Sequence, residues 1–142
     1  MRMLPAIAKW ILATLAASLA ASLCYASILY GLGELGEALG QSGDRSVYGW
    51  IALGGFILAA PIHFLGVAVM GPVAMALLSR ARIDTTPAAA VIGGGLALAT
   101  ALPLLGAWYG SQYLAFAIPT PASGAIAAVI FRYIMRSYGS AV

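Results

Sequence analysis

The sequence predicts an all-α membrane protein, a single domain of four transmembrane helices with a kinked second helix and a proline-broken fourth. Three observations carry this. Of 142 residues, 63% are hydrophobic and only 8% charged, where a soluble domain carries roughly a quarter charged residues. A core of this size cannot hide so much apolar surface, so lipid must solvate most of it. The charged side chains are bunched, leaving uncharged runs at 10–33, 46–79 and 85–131. Tryptophans and tyrosines gather near the ends of these runs, as amphipathic rings do at a headgroup layer. Strict alternation is absent, and an open sheet cannot satisfy its backbone in lipid, so the runs read as helices.

The spans follow in order. About 20 apolar residues cross the hydrocarbon as a helix, so the first run holds one span, about 8–30. The second holds one long span, about 48–79. The third run is too long for one crossing and breaks at Gly110-Ser111-Gln112, giving spans at about 87–108 and 112–135. Arg2 and Lys9, Arg80 and Arg82, and Arg132 and Arg136 then all fall on one side, and only Arg45 on the other. The positive-inside bias puts both termini in the cytoplasm, and the expected location is the inner (cytoplasmic) membrane, multi-pass. The first span has a basic start like a signal peptide, but its apolar stretch is too long and Cys24-Tyr25-Ala26 is a poor cleavage site.

The connections are small. Gly31 to Ser46 is the longest, with Leu35 and Leu39 spaced for a short interfacial helix or an irregular loop. After the second span, Thr86-Pro87 reads as an N-cap followed by a proline at the first helical position. Within the first span, Ala13, Ala17 and Ala21 form one small stripe and Ser18, Ser22 and Ala26 another, opposite Leu15, Leu19 and Leu23. Small stripes let membrane helices approach closely, here inside the bundle or in a dimer. Gly93-Gly94-Gly95 in the third span marks either a close backbone approach or a bendable point. With no lysine after it and an apolar setting, it is not a phosphate loop.

The fourth span carries Ile118-Pro119-Thr120-Pro121. Residues before proline avoid the α region, so Ile118 and Thr120 are expected to be extended, with Thr120 capping a helix that Pro121 opens. Phe64 to Pro72 also lines up with Tyr113 to Pro121, the pattern an internal duplication would leave.

The chemistry is sparse. His63 is the only histidine and lies near the middle of the second span. An ionisable group there faces the bundle interior and is a functional candidate by default. Pro61 clashes with the carbonyl of Ile57 and frees an acceptor one turn away. The candidate intramembrane polar site is therefore His63, Pro61, Thr120 and Gln112, the last being the counterpart of His63 in the repeat. The leading reading of His63 is a neutral ring bonded to a carbonyl or hydroxyl of another span. A proton-titrating or substrate-contacting residue is the second, and a haem ligand the third.

No span holds a carboxylate, and no serine has an activating base nearby, so no enzyme is expected. No cofactor is expected either. One cysteine, Cys24, excludes an intrachain disulfide, and no Cys/His cluster offers a metal site. Seven dispersed basic residues make no nucleic-acid footprint. The expected partners are the lipid bilayer and further copies or subunits, as a homo-oligomer or in a larger membrane complex. Three functions compete: a transporter or channel subunit, a structural or accessory subunit, and a haem-binding anchor.

Overall fold

A computed structural model of the chain describes residues 5–40, 45–109 and 117–137. Among these residues there are four helices and no strand: α1 (Ala6–Ala38), α2 (Arg45–Ala81), α3 (Thr86–Tyr109) and α4 (Thr120–Ser137). Three of them contain stretches long and apolar enough to cross a membrane, at Ala6–Ala38, Val47–Ala81 and Thr86–Pro103. α2 runs through Pro61 and Pro72 as one helix.

α4 departs from the expected fourth span at 112–135. It starts only at Thr120, and its 18 residues reach about 27 Å at 1.5 Å each, short of a hydrocarbon core of about 30 Å. Arg132 and Arg136 lie near its end, so it lacks the uncharged length of the other three. Ala117 to Pro119 form a tight turn ahead of it. The expected turn at Gly110-Ser111-Gln112, and the first part of the proposed repeat from Tyr113, lie outside the described residues. The repeat has no geometric counterpart at its end: Pro72 sits inside a helix, whereas Pro121 sits at the start of one.

α1 is longer than expected. It continues past Tyr30 to Ala38, so the short helix around Leu35 is the end of α1. Two glycines, Gly31 and Gly33, do not stop it. Gly33 has a packing role, because a Cβ there would lie 2.6 Å from the Tyr48 ring on α2. The helix ends where Gly40 turns into the left-handed region (φ 85°) and its N–H bonds to the Glu37 carbonyl at 2.9 Å. Glycine adopts this C-terminal conformation without a steric cost.

Both Thr-Pro helix starts lie one residue earlier than the sequence reading. The amide of Ala89 bonds to the Thr85 carbonyl, and that of Ser123 to the Pro119 carbonyl, each at 3.0 Å. Thr85, not Thr86, supplies the cap through Oγ1 to the Ala88 amide at 3.4 Å. Thr120 is helical rather than extended, and its hydroxyl donates back to the Ala117 carbonyl at 2.7 Å. Pro87 and Pro121 thereby occupy the second helical position. The first four amides of a helix have no intrahelical partner, so a proline there still forfeits no bond.

The helices pack through small residues. α1 lies against both α2 and α4, and α3 lies against α4, while α2 touches α3 and α4 only sparsely. The buried face of α1 is Ala13, Thr14, Ala17, Ser18, Ala21 and Ser22. The small stripes therefore serve the bundle itself. Leu15, Leu19 and Leu23, about half exposed, face outward. The alanine line meets Val67 of α2 and Ala127 and Phe131 of α4 in the core.

α3 and α4 meet backbone to backbone. A Cβ at Gly93 would stand 2.5 Å from the Gly124 carbonyl oxygen, and one at Gly124 2.6 Å from that of Gly93. One at Gly94 would stand 2.8 Å from the Pro121 carbonyl. Gly95 faces open space. Two of the three glycines thus serve close approach, the third nothing visible.

Candidate functional site

The sparse contact of α2 with α3 and α4 leaves a groove of about 170 Å³ between them. Its walls are mainly apolar or small: Val67 and Met70 on α2, Leu96 and Ala97 on α3, Ala127 and Phe131 on α4. The small residues create the space. Gly66 lines it and has nothing within 4 Å of a Cβ. Its polar groups are His63, Thr100, Thr120 and Ser123, which lie toward one end. No carboxylate and no cationic side chain lines it among the described residues.

His63 is the centre of the polar end. Its ring bonds in three directions. Nδ1 lies 2.9 Å from the Ala59 carbonyl, one turn back on α2. The same nitrogen is 3.3 Å from the Ser22 hydroxyl on α1. Nε2 lies 3.1 Å from the Ser123 hydroxyl on α4. Tyr25 of α1 meets the ring edge to face, centroids 5.8 Å apart. One side chain therefore joins three helices.

The partners are themselves fixed. Ser22 donates to the Ser18 carbonyl at 2.8 Å and Ser18 to the Thr14 carbonyl at 2.5 Å. Ser123, fully buried, lies 3.0 Å from the Thr120 carbonyl. Back-bonding of serine to the preceding turn is normal in a helix; it leaves a Ser22 lone pair to accept from Nδ1–H, whereas Ser123 meets Nε2 by turning its proton to the ring. The bonds also set the tautomer. A carbonyl cannot donate, so the 2.9 Å contact to Ala59 places the proton on Nδ1.

The expected site is partly assembled. His63 and Thr120 both line the groove. Pro61 does not: it is exposed on α2, and the carbonyl His63 uses is that of Ala59, not the one freed at Ile57. Gln112 lies outside the described residues. Ser22 and Ser123 are the partners that sequence reasoning missed. Ser22 was legible as part of a small stripe facing the bundle. Ser123 carried no signal beyond its place three residues after Thr120.

A second polar cluster sits at the opposite end of α4. Arg132 donates from Nε to Asp84 Oδ1 at 2.6 Å, from Nη2 to the Asp84 carbonyl at 2.7 Å, and from Nη1 to Thr86 Oγ1 at 3.1 Å. Arg136 pairs with the other Asp84 oxygen. This cluster ties the end of α4 to the start of α3. Its geometry is that of a clamp.

The sequence matches no protein-family model and no curated protein, and the fold matches no solved structure.

Proposed function

We propose that the chain is a multi-pass protein of the inner (cytoplasmic) membrane, with both termini on the cytoplasmic side, acting as a transporter subunit within an oligomer. One observation carries this reading: an apolar groove in the bundle with a single hydrogen-bonding end at His63 and Ser123. Ligand sites are mostly apolar concavities with a few well-placed polar groups. The absence of charge along the described walls favours an uncharged, mostly apolar solute over an ion. A catalytic role is not proposed, because no acid–base pair faces the groove among the described residues. The outer wall between α2 and α3 is thin, which gives the groove a lateral mouth and a second subunit a place to complete it.

Flux through proteoliposomes of the purified protein tests this. Gly66→Leu fills the groove and abolishes flux, while Gly54→Leu, which also faces open space but lies off the groove, leaves it intact. Equal flux in both variants removes the reading. An accessory subunit is the second reading, favoured by the same sparse contact of α2 with α3, since a partner helix would seat there. A stoichiometric partner in native membrane supports it. A haem anchor fits less well: both nitrogens of His63 already have partners, and a Soret band in purified protein is required to revive it.

A further inference from the structure

The positive charge of the chain is gathered at one end of the bundle. α1 and α2 run antiparallel, with Gly33 packed on Tyr48 and Ser22 beside His63, so the start of α1 and the end of α2 lie together. The end of α4 joins them through Asp84. Lys9, Arg80, Arg82, Arg132 and Arg136 therefore share this end, and Asp84 is the only carboxylate with them among the described residues.

That carboxylate is already taken. Arg132 holds Oδ1 at 2.6 Å and Arg136 holds Oδ2. Neither the Arg80 nor the Arg82 side chain has a hydrogen bond or ion pair among the described residues, and both are exposed. Arg82 also stands in the left-handed region, φ 54°, where glycine is the ordinary occupant of a helix cap. Among the described residues no side-chain contact offsets that strain.

Depth selects the partner. The apolar stretch of α2 runs from Val47 to Ala81, so Arg80 closes it and Arg82 lies just beyond. The surface around them is apolar: Leu77 and Ile83 are each about half exposed, and Tyr133, next to Arg132, is exposed as well. In a membrane such aliphatic side chains face acyl chains, a tyrosine marks the headgroup layer, and arginines at a helix end reach up to it. The anion present at that depth all round the bundle is the lipid phosphate, and a guanidinium fork matches it with two parallel hydrogen bonds. An acidic protein segment in water would meet the charges but not the apolar side chains beside them. A zwitterionic headgroup brings its own cation into a region that holds five positive side chains and one carboxylate. An anionic headgroup does not.

We propose that Arg80 and Arg82 bind the phosphate of an anionic phospholipid whose chains lie against Leu77 and Ile83. Asp84 keeps Arg132 and Arg136 for the bundle. The proposal rests on the chain lying in a membrane and is independent of the transport reading.

The test titrates the purified full chain in detergent with dioleoylphosphatidylglycerol or dioleoylphosphatidylcholine and counts retained lipid by native mass spectrometry. The anionic lipid is retained at an about tenfold lower concentration. Arg80→Gln combined with Arg82→Gln removes the preference, Arg80→Lys with Arg82→Lys keeps most of it, and Arg45→Gln, at the start of α2, leaves it unchanged. In wild type the preference shrinks as ammonium acetate rises, a readout that needs no variant. Equal retention of the two lipids, or a preference indifferent to salt, overturns the proposal. A preference that survives in the double glutamine variant overturns the assignment to these arginines. Displacement of the anionic lipid by excess glycerol phosphate gives the arginines to a soluble phosphate and overturns the lipid. A lipid preference with absent flux upholds the contact and removes the transport reading, and flux with equal retention does the reverse.

Discussion

Arg132 grips Asp84 twice, through Nε to the carboxylate at 2.6 Å and through Nη2 to the main-chain carbonyl at 2.7 Å. Both side chains are mostly shielded, 14% and 21% exposed, so solvent screens the pair only in part. Hydrogen bonds to charged groups contribute more than neutral ones, and partial exposure discounts them. Asp84→Ala therefore lowers stability by about 1–2 kcal/mol, and Asp84→Asn by less, because the amide oxygen still accepts. Thermal unfolding in detergent measures both. An Asp84→Ala protein as stable as wild type shows the clamp to be idle.

Adjacent glycines on α3 respond in opposite senses. A methyl at Gly94 meets the Pro121 backbone at 2.8 Å, and backbone does not yield. Overpacking of this kind costs about 1–3 kcal/mol, more than the gain of roughly 1 kcal/mol from replacing a helical glycine by alanine. Gly94→Ala destabilises. At Gly95 nothing lies within 4 Å, so Gly95→Ala keeps the propensity gain and stabilises. Unfolding midpoints that move together contradict the close approach of α3 and α4.

Arg82 stands where a glycine belongs. It takes φ 54°, and its amide bonds to the Ser79 carbonyl while that of Ile83 reaches Leu78, both at 3.2 Å. This pair of bonds closes α2 in a left-handed cap. A side chain in that region costs about 1–2 kcal/mol. Arg82→Gly raises the unfolding midpoint by relieving it. An unchanged or lower midpoint shows that the arginine contributes contacts worth the strain.

Much of the helical architecture was legible because long uncharged, apolar runs bounded by charges mark it. The run 46–79 lies within α2, Arg45–Ala81, and the expected span 87–108 lies within α3, Thr86–Tyr109. The small face of α1 was legible from the spacing of Ala13, Ala17 and Ala21. The ends were not. Hydropathy falls at Tyr30, but a helix leaving lipid keeps its backbone bonds, so α1 runs on to Ala38. The Thr-Pro starts were misplaced by one residue because proline suits any of the first helical positions. His63 was legible as the odd polar residue in a span. Its partners were not identified: Ser22 was legible only as a member of a small stripe, and nothing local selects Ser123. The groove was invisible for the same reason: it arises where α2 stands away from α3, a relation between helices and not a motif.

Thr14 gives a prediction of unusual sign. It is fully buried on α1, and its hydroxyl has no hydrogen-bond partner among the described residues. An unserved buried hydroxyl costs about 1–3 kcal/mol, and an apolar group of the same shape removes that cost. Thr14→Val preserves the shape and stabilises the protein, by about 1 kcal/mol or more. Thr14→Ser keeps the hydroxyl, loses a methyl and destabilises. A Thr14→Val protein less stable than wild type means that the hydroxyl is in use.

The last prediction concerns the side on which the chain ends. Among the described residues three helices meet the length and hydropathy of a span, and a three-span protein would leave its two ends on opposite faces. The contacts of α4 argue otherwise. Its end is tied through Arg132 and Arg136 to Asp84 at the start of α3, and its first turns pack at Gly93 and Gly94. α4 thus runs antiparallel to α3, its end beside the start of α3. In the proposed topology this puts Arg132 and Arg136 on the same side as Arg80 and Arg82, which the positive-inside bias makes the cytoplasmic side. α4 needs less apolar length than an isolated span because α1 and α3 cover part of it. Fusions truncated after Ser137 are therefore fluorescent with a reporter that folds in the cytoplasm and silent with a phosphatase that needs export. Fusions truncated after Tyr109 give the reverse. Phosphatase activity after Ser137 would place the end of α4 on the far side and dismantle the antiparallel pairing on which the groove depends.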